Sequence, residues 1–599
     1  DFNRIETNYL NAMGRLAEVE GETELYRDLR MKLFIDPLDL RQQYTDSDES
    51  LKALMNAFAD GLNYFLHTHP QVTPKLITRF EPWMALSFSE GSIGGDIERV
   101  DLNALHVFYG GGVMIADPEP AIVEDPGGSN GFAIAPQNTA SGNALLLINP
   151  HTSFFFRDEL HVVSEEGLNA YGAVTWGQFF VYQGFNDRLG WMHTSSGADA
   201  IDEYLETVML GTDGYYYQYG DEWRPFKETR LTLPYKTDAG MARREFTVYH
   251  SHHGPVIRAD GDKWVSIKLM QEPVLAITQS FQRTKARNYA EFRSSMELLT
   301  NSSNNTVYAD SDGNIGYFHG NFIPRRNPGF NWDTAVDGSN PATEWQGLHP
   351  LEEQITLLNP PNGWIQNTNN WPFSAAGEYS PQPQNYPDYM ANFPENPRGI
   401  NAVRVLQNRS DFSVETLLEA AYDPLLIAFE PLIPVLVQAW NALPETDQRK
   451  QVLAQPVLEL MNWDRRYSID STQTTLAHYW GQNLMQQLQP EATRRGINIY
   501  TAMADPIYAN QQLDALQQAA ITLSTDLGSW QVPWGEVNRY QRNDGAIEQQ
   551  FDDSKPSLPV AFASSTWGSL AAFGARSYPG TAKMYGTRGN SFVAAVEFG

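Results

Sequence analysis

The stretch that decides the fold is PGGSNGFAIAP, residues 126–136. Two glycines lead into Ser129, and the residues after it alternate between apolar and small side chains, as in a buried strand. A hairpin turn would explain the glycines alone. If the bond between Gly128 and Ser129 were cut, Ser129 would carry a hydroxyl and a free α-amine. An α-amine, with a pKa of about 7.7–8.0, is a general base near neutral pH, so one residue could supply nucleophile and base.

The composition excludes several classes of function. The 599-residue chain has no cysteine, and its 72 acidic and 42 basic residues give a formal charge of −30. The excess of acid argues against a nucleic-acid or anionic-membrane surface, and the lack of cysteine excludes disulfides, thiolate catalysis and cysteine-ligated zinc. No apolar run reaches the roughly eighteen residues of a membrane-spanning helix. We therefore expect neither nucleic acid nor a membrane as partner.

Helical and strand-rich blocks alternate along the chain. Residues 1–110 have mostly helical periodicity, and residues 111–128 are rich in glycine, proline and acid. Strand-like patterns begin at Ser129, and from about residue 400 to 525 the pattern returns to helices. We predict an α+β fold in which strands are layered with helices. Both ends of the chain look clipped, because it opens inside a helical pattern and closes on a strand-like one.

Four further motifs follow Ser129 in order. They are NPH ending at His151, GFNDRLGWMHTSSGADAIDEY at 184–204, NNTVYADSDGNIGYFHGNFIPRR at 304–326 and YGTRGNSF at 585–592. In this order they resemble the penicillin acylase family of N-terminal nucleophile hydrolases, which includes penicillin G, cephalosporin, aculeacin and acyl-homoserine-lactone acylases. The resemblance implies an αββα sandwich with a largely helical insertion. It also implies a precursor that cleaves itself and then hydrolyses N-acyl amides.

The same resemblance divides the chain into three parts. Residues 1–110 would be an α chain, 111–128 a spacer peptide, and 129–599 a β chain that begins at the nucleophile. The α and β chains of one precursor would form a heterodimer. Members of the family are longer at both ends than this sequence. The resemblance further implies a periplasmic or secreted enzyme, whose signal segment is not present in this sequence.

Five residues match catalytic positions of the family. Ser129 would be the nucleophile. The backbone N–H of Ser195 and the side-chain amide of Asn305 would form the oxyanion hole, where each donor contributes about 3 kcal/mol. His151 would hold the terminal amine and tune its pKa. Arg326 would support the asparagine or contact the substrate.

Acidic residues in GADAIDEY suggest a cation site. Asp199 and Asp202 flank the carbonyl of Ile201, and three such oxygens could bind a hard cation. In penicillin G acylases the matching loop binds structural calcium together with an acid of the α chain, for which Asp96 is the nearest equivalent. Solvated loop acids are the alternative, and the sequence leaves both open. No organic cofactor is implied.

Two neighbouring histidines, His252 and His253, also suggest a metal site. The sequence shows no third ligand at a useful spacing from them. The HGPV that contains His253 is a recurrent strand motif in this family. We therefore predict no metal ion at these histidines.

Aromatic residues after the nucleophile are candidates for the acyl pocket. Phe154, Phe156, Trp176 and Phe180 would give an apolar wall that favours an aromatic or aliphatic acyl group. Aromatic residues at strand spacing also serve as core, so both interpretations stay open. The substrate implied is a small-molecule N-acyl amide, such as a β-lactam antibiotic or an N-acyl homoserine lactone.

Two other functions remain compatible with the sequence. An uncleaved, catalytically silent family member would bind amphiphilic ligands and keep the bond between Gly128 and Ser129. A glycoside hydrolase would also be acidic, aromatic-rich and free of cysteine, but no carboxylate pair marks its site. A free N-terminus at Ser129 would separate the acylase from both.

Overall fold

The computed structural model describes residues 2–88, 95–111, 128–154, 157–546 and 549–599. Nearly all of the predicted spacer, 112–127, lies outside the described residues. The described residues before it are helical, and the first described strand after it begins at Gly128. The division into α chain, spacer and β chain stays a prediction.

Helices concentrate in three parts of the described chain. The α-helices are α1 Phe2–Ala12, α2 Ala17–Glu20, α3 Leu25–Lys32, α4 Pro37–Asp46, α5 Glu49–Thr68, α6 Leu102–Gly110, α7 Pro273–Lys285, α8 Tyr289–Met296, α9 Pro397–Leu406, α10 Val414–Ala421, α11 Phe429–Asn441, α12 Gln448–Val452, α13 Ala454–Met461, α14 Thr472–Arg495, α15 Ile499–Met503, α16 Ala509–Leu527 and α17 Trp534–Val537. Short 3₁₀ helices are Glu22–Glu24, Pro82–Ser87, Ile97–Arg99, Pro136–Asn138, Pro341–Thr343, Leu351–Glu353, Pro372–Ser374, Gly377–Tyr379, Pro383–Asn385, Asp388–Met390, Pro506–Tyr508 and Ser565–Trp567.

Strands fill most of the chain between the helical parts. They are β1 Gly128–Ile134, β2 Ala144–Ser153, β3 Arg157–Ser164, β4 Leu168–Thr175, β5 Gln183–Asn186, β6 Leu189–Ser195, β7 Asp202–Glu206, β8 Val208–Leu210, β9 Tyr215–Tyr219, β10 Glu222–Pro225, β11 Lys227–Thr237, β12 Gly240–His250, β13 Val256–Asp260, β14 Lys263–Lys268, β15 Asn304–Asp310, β16 Ile315–Phe318, β17 Val336–Asp337, β18 Thr356–Leu358, β19 Trp364–Asn367, β20 Asn538–Tyr540, β21 Leu558–Pro559, β22 Phe573–Ser577, β23 Met584–Asn590 and β24 Ala594–Phe598.

Two large sheets face each other at the centre of the fold. Sheet I has the order β19-β1-β2-β23-β20-β21, with β24 also paired to β2 and β22 to β23. Sheet II has the order β18-β16-β15-β6-β5-β4-β3. Between them, Ala133 and Leu146 of sheet I belong to one buried apolar cluster with Met192 and Val307 of sheet II. The two sheets therefore share one core.

Helices cover the outer face of each sheet. Phe132 of β1 packs in a cluster with Leu406 of α9 and Leu417 of α10. On the other side, Trp191 of β6 packs in a cluster with Phe292 of α8. Because neighbouring strand residues point to opposite faces, β1 serves both interfaces of sheet I. The predicted α+β class and the αββα sandwich are confirmed.

The predicted helical insertion is also present. Helices α11, α13, α14 and α16 enclose a cluster that includes Phe429, Trp480 and Trp567, all fully buried. In the described part of the chain, no helix is both long enough and apolar enough to cross a bilayer. This block lies between β19 and β20 in the sequence, so it interrupts no strand of sheet I.

Candidate active site

Ser129 lies on β1, which sheet I holds from both sides. β1 pairs with β2 through Gly128 opposite His151 and with β19 through Gly131 opposite Asn367. Ser129 is only 4% exposed. Its Oγ–H donates to the carbonyl oxygen of Gly128 across 2.5 Å. The hydroxyl thus sits beside the carbonyl of the predicted cleavage site.

An asparagine that the sequence analysis did not single out contacts the nitrogen of Ser129. The N–H of Ser129 donates to Oδ1 of Asn369 across 2.5 Å. Asn369 follows β19 with a φ of 62°, a left-handed conformation that asparagine adopts more readily than most residues. Its Nδ2 donates to the carbonyl oxygen of Ser195 at 2.9 Å. The amide of Asn369 therefore bridges Ser129 and Ser195.

A buried arginine at the start of α9 completes this contact. Nη1 of Arg398 donates to the carbonyl oxygen of Ser129 at 3.1 Å and to Oδ1 of Asn130 at 3.0 Å. Its Nη2 donates to Oδ1 of Asn369 at 2.9 Å. The side-chain cap of Asn396 on the N–H of Gly399 begins α9 at this place. Arg398 is 4% exposed, so its charge lies close to Ser129 with little screening by water.

Glycine is required at position 128 by these neighbours. A Cβ on Gly128 would lie 2.5 Å from Oδ1 of Asn369 and 2.6 Å from Nη2 of Arg398. Both distances are far below a carbon contact distance of about 3.5 Å. Only glycine therefore fits beside the two side chains that contact Ser129.

The backbone N–H of Ser195 lies on the side of β6 that faces Asn369. At the end of the antiparallel pair of β6 and β15, the N–H of Ser196 donates to the carbonyl oxygen of Ser303 at 2.8 Å. The backbone groups of Ser196 therefore point toward the β15 side. Hydrogen bonding alternates along an antiparallel pair, so the N–H and C=O of Ser195 point away from β15. The C=O accepts from Asn369, and the N–H lies on that same side of the strand. An amide thus lies beside Ser195, and the role of its N–H in the oxyanion hole stays a prediction.

Asn305 lies beside Ser195 in sheet II, and its role as an oxyanion donor stays a prediction. The structure places Asn369 against Ser129, whereas Asn305 is fully buried in sheet II. Nδ2 of Asn305 donates to buried Thr194 and Asn367 and to the carbonyl oxygen of exposed Ser195, and its Oδ1 contacts buried Tyr317 and His319. With its hydrogen bonds made inside the sheet, it supports the strands behind Ser195.

Arg326 pairs with two acidic residues. Its Nε donates to Asp202 at 2.7 Å, and its Nη2 lies 3.4 Å from Asp199. It makes no contact with Asn305 in the described structure, and the arginine next to Ser129 is Arg398. The three asparagines of QNTNNWP at 366–372 were the available sequence signal for the missed residues.

His151 is buried and electrically neutral. Its Nε2 contacts Oδ1 of Asn149 at 3.0 Å, and since that oxygen only accepts, the ring proton lies on Nε2. Nδ1 has no hydrogen-bond partner among the residues that the structure describes. Burial, and then the charge of Arg398, hold the pKa of His151 well below its usual value. His151 lies opposite Gly128 in the strand register, next to the predicted cleavage site.

The predicted cation site holds an arginine. Asp199 and Asp202 both face Arg326, whose side chain is fully buried. Burial raises the pKa of Asp199 to about 7, and the charge of Arg326 opposes this. Asp96 accepts instead from Ser302, and no third acidic or histidine ligand joins the pair within 4.8 Å among the residues the structure describes.

These residues do not fit calcium as predicted. Calcium takes six to eight oxygen ligands, whereas Asp199 and Asp202 have the carbonyl of Ile201 between them in sequence and a guanidinium between them in space. A second cation would have to displace or face Arg326. Calcium binding stays a prediction of the sequence.

The aromatic candidates separate into different environments. Phe180 is 3% exposed and packs in the cluster of the N-terminal helices that contains Tyr9. Trp176 accepts at its carbonyl from Asn8 of α1 at 2.8 Å. Phe154 contacts the ring of Phe573 in sheet I. Phe156 lies outside the described residues, so the four are not shown as one pocket wall.

Comparisons with known proteins agree with this architecture. Residues 1–599 match the penicillin amidase family over the whole chain. The chain is 24% identical to the acyl-homoserine lactone acylase QuiP of Pseudomonas fluorescens Pf-5, over 90% of this chain and 76% of that protein. It is 25% identical to penicillin G acylase of Escherichia coli, over 57% of this chain and 39% of that enzyme.

A solved structure shares the fold. The thermostable penicillin G acylase from Alcaligenes faecalis aligns with a TM-score of 0.55 and 20% identity, over 79% of this chain and 88% of that one. At this identity the likeness speaks for the fold alone. With the match over its full length, the chain belongs to the penicillin amidase family and is a hydrolase that acts on amide bonds.

Proposed function

We propose that this chain is a self-processing N-terminal serine acylase. It cleaves the N-acyl amide bond of small molecules that carry an apolar acyl group, through an acyl ester of Ser129. The observation that carries the proposal is the 2.5 Å contact between the nitrogen of Ser129 and Oδ1 of Asn369, with Arg398 bonded to the same oxygen. Cleavage after Gly128 would turn that nitrogen into an amine already held by an acceptor.

Arg398 would tune this amine. A positive charge nearby disfavours the protonated form of an amine, so Arg398 would hold the pKa of the α-amine below its ordinary range of about 7.7–8.0. More of the amine is then the free base at neutral pH. Asn369 Oδ1 would accept one N–H and so orient the lone pair toward Oγ. In this proposal His151 stays neutral, because its own pKa is low, and it supports the site without taking the proton.

Processing and turnover would use the same groups. In processing, Oγ of Ser129 attacks the carbonyl carbon of Gly128, the nitrogen leaves with a proton, and water hydrolyses the resulting ester. In turnover, Oγ attacks the substrate amide while the amine takes its proton. The oxyanion would bind the Ser195 N–H and Nδ2 of Asn369, each worth about 3 kcal/mol. The amine product leaves with the proton, and water releases the acid.

The similar proteins support the substrate class that we propose. The similar proteins are named as acyl-homoserine lactone acylases and penicillin acylases. A β-lactam antibiotic or an N-acyl homoserine lactone is accordingly the substrate we propose. The N-terminal helices supply apolar side chains next to Phe180, which suits an apolar acyl group. We further propose an α/β heterodimer in the periplasm or outside the cell.

Intact mass and N-terminal sequencing test this proposal. We expect two chains, the larger one beginning Ser-Asn-Gly-Phe, and release of acid from acyl-homoserine lactones or penicillins. Ser129→Ala should give one uncleaved, inactive chain, whereas Ser141→Ala, on the exposed hairpin after β1, should process normally. A processed and active Ser129→Ala protein would exclude the mechanism. One uncleaved wild-type chain that binds but does not hydrolyse acyl amides would identify a silent family member.

The pH profile tests the role of Arg398. In Arg398→Met the α-amine should recover a higher pKa, so the acid limb of kcat/KM should move to higher pH. An unmoved acid limb in a processed variant would show that Arg398 acts by packing alone.

A further inference from the structure

A second polar cluster lies beside the four-stranded sheet β13-β14-β7-β17. Two histidines and a carboxylate meet there, and the ligand atoms of His252, His253 and Glu344 all lie within 4.8 Å of one another. In the described parts of the chain this is the one group of three acidic or histidine side chains so close together. None of the three contacts Ser129 or its partners. The third ligand missing from the sequence pattern is therefore supplied by Glu344, 91 residues from His253.

A tight turn presents the two histidines side by side. It connects β12 to β13, and the N–H of Ser251 donates to the carbonyl of Gly254 at 2.9 Å. Gly254 has a φ of 145°, and a Cβ there would lie 2.0 Å from a carbonyl oxygen of β14. The ring centroids of His252 and His253 are 3.9 Å apart. The turn thus fixes two neighbouring imidazoles in one direction.

Both imidazoles point Nε2 at the same oxygen. Nε2 of His252 lies 2.6 Å, and Nε2 of His253 3.0 Å, from Oε1 of Glu344. Their Nδ1 atoms are engaged on the other side, by Tyr217 OH at 3.1 Å and by Oε1 of Glu206 at 2.9 Å. Lone pairs on two nitrogens and a carboxylate oxygen would repel one another at these distances, so either N–H groups of the imidazoles or a metal ion must lie between them.

We propose that His252, His253 and Glu344 bind a divalent transition metal ion, with zinc as the best match. Imidazole selects transition metals over calcium and magnesium, and zinc accepts nitrogen and carboxylate ligands at about 2.0–2.2 Å. Ligands of a tetrahedral zinc with such bonds lie about 3.3–3.6 Å apart. The side chains of His252 and Glu344 are 28% and 25% exposed, so they have room to separate by under about 1 Å. Water can reach the fourth position from this exposed side.

The surrounding residues suit a metal site. Oε1 of Glu206 is fully buried and also accepts from Ser266 at 2.6 Å, so it fixes the proton of His253 on Nδ1 and leaves Nε2 for the metal. Carboxylates commonly hold zinc-binding histidines in this way. Lys268 lies 3.5 Å from Oε2 of Glu344, which leaves Oε1 as the ligand atom. Its charge weakens metal binding, and its removal should strengthen it.

The site would join three separate segments. His252 and His253 lie in the turn after β12, Glu206 ends β7, and Glu344 follows a short 3₁₀ helix. Trp345, next to Glu344, donates to Asp202 at the start of β7. A metal ion would therefore tie together segments that also position the Asp202 pair with Arg326. Its effect should be on stability, with turnover unchanged.

Zinc titration of the full chain tests the proposal. After removal of metals with a chelator, calorimetry should give one zinc ion per chain and a raised melting temperature. His252→Ala and Glu344→Gln should weaken binding at least about tenfold, and Glu206→Gln about 10- to 100-fold. Lys268→Met should tighten it. Cobalt added in place of zinc should give the visible absorption of a four-coordinate site, and that absorption should vanish in His252→Ala.

A matched control separates this site from adventitious binding. His161 is exposed on β3, and His161→Ala should leave zinc binding unchanged. Binding by the wild type that His252→Ala does not weaken would overturn the proposal, as would a folded wild-type chain that takes up no zinc. In the latter case a protonated His253, which contacts Glu206 through Nδ1 and Glu344 through Nε2, supplies the charge that holds the cluster together. Repeating the titration on Ser129→Ala makes the result independent of the proposed enzymatic function.

Discussion

The nitrogen of Ser129 and Oδ1 of Asn369 lie 2.5 Å apart although 240 residues separate them. Arg398 donates to the same oxygen from the first turn of α9. The contact exists because β19 pairs with β1, which brings the loop after β19 to the start of β1. Three chain segments thus meet at one amide oxygen, and each can be tested separately.

Removing the amide of Asn369 should remove most of the turnover. In Asn369→Gly the backbone keeps its positive φ without strain, but the oxyanion loses one donor and the amine its acceptor. We expect kcat to fall about 100- to 1,000-fold. Steady-state kinetics on any processed protein, with intact mass to follow processing, provide the measurement.

The contrasting variant is Asn305→Ala. Its amide bonds mainly to buried groups, so its loss should lower the free energy of unfolding by about 1–3 kcal/mol. Turnover per folded molecule should change little. If Asn305→Ala abolished turnover in a stable protein while Asn369→Gly did not, the sequence-based assignment to Asn305 would be right.

Gly128→Ala should block processing. The new Cβ would lie 2.5–2.6 Å from polar atoms of Asn369 and Arg398, so the strand would have to move Ser129 away from them. Electrophoresis after expression should show the uncleaved chain. Gly61→Ala, at an exposed position in α5 with no atom within 4 Å, is the control. It should process normally and gain about 0.5–1 kcal/mol of stability. Full processing of Gly128→Ala would contradict the geometry.

Arg326→Met should strongly destabilise the fold. Asp202 and Arg326 are both fully buried, so the variant leaves carboxylates without a counter-charge at a cost of about 3–5 kcal/mol. Urea denaturation gives the change in unfolding free energy. Arg325→Met removes an exposed ion pair with Glu353, and should cost under about 1 kcal/mol.

The same samples test the calcium prediction. If Arg326 is the cation of this site, calcium chloride and a calcium chelator should leave the melting temperature of the wild type unchanged. A rise with calcium that Asp199→Asn abolishes would show that the loop binds the ion despite Arg326.

Acid should weaken the helical insertion through His478. Burial lowers the pKa of His478 to about 4, and its Nδ1 accepts from Nε1 of Trp567 at 3.1 Å, which only the neutral ring permits. The unfolded chain has the higher pKa, about 6.5, so protons favour unfolding. Stability present above pH 6.5 should be lost as pH falls toward 4, by about 3 kcal/mol.

His478→Asn is the matching variant for this pH effect. Asparagine keeps an acceptor near Nδ1 but does not titrate, so the loss of stability between pH 6.5 and 4 should be smaller by that amount. Equal pH dependence of the two proteins in urea denaturation would show that His478 does not titrate in this range.

Much of the architecture follows from local patterns. The alternation after Ser129 predicts β1, the turn residues after it predict the hairpin to β2, and helical periodicity predicts the insertion. These features depend on neighbours within a few positions, which a sequence displays directly.

Side-chain contacts between distant parts of the chain could not be predicted from local patterns. By itself the sequence determined the layered α+β fold and marked Ser129, His151 and Ser195. Only the tertiary structure decided that Asn369 and Arg398 contact Ser129 and that Glu344 reaches His253. The reason is physical: these contacts depend on which strands pair and where loops end after packing, and no local spacing in the chain records that.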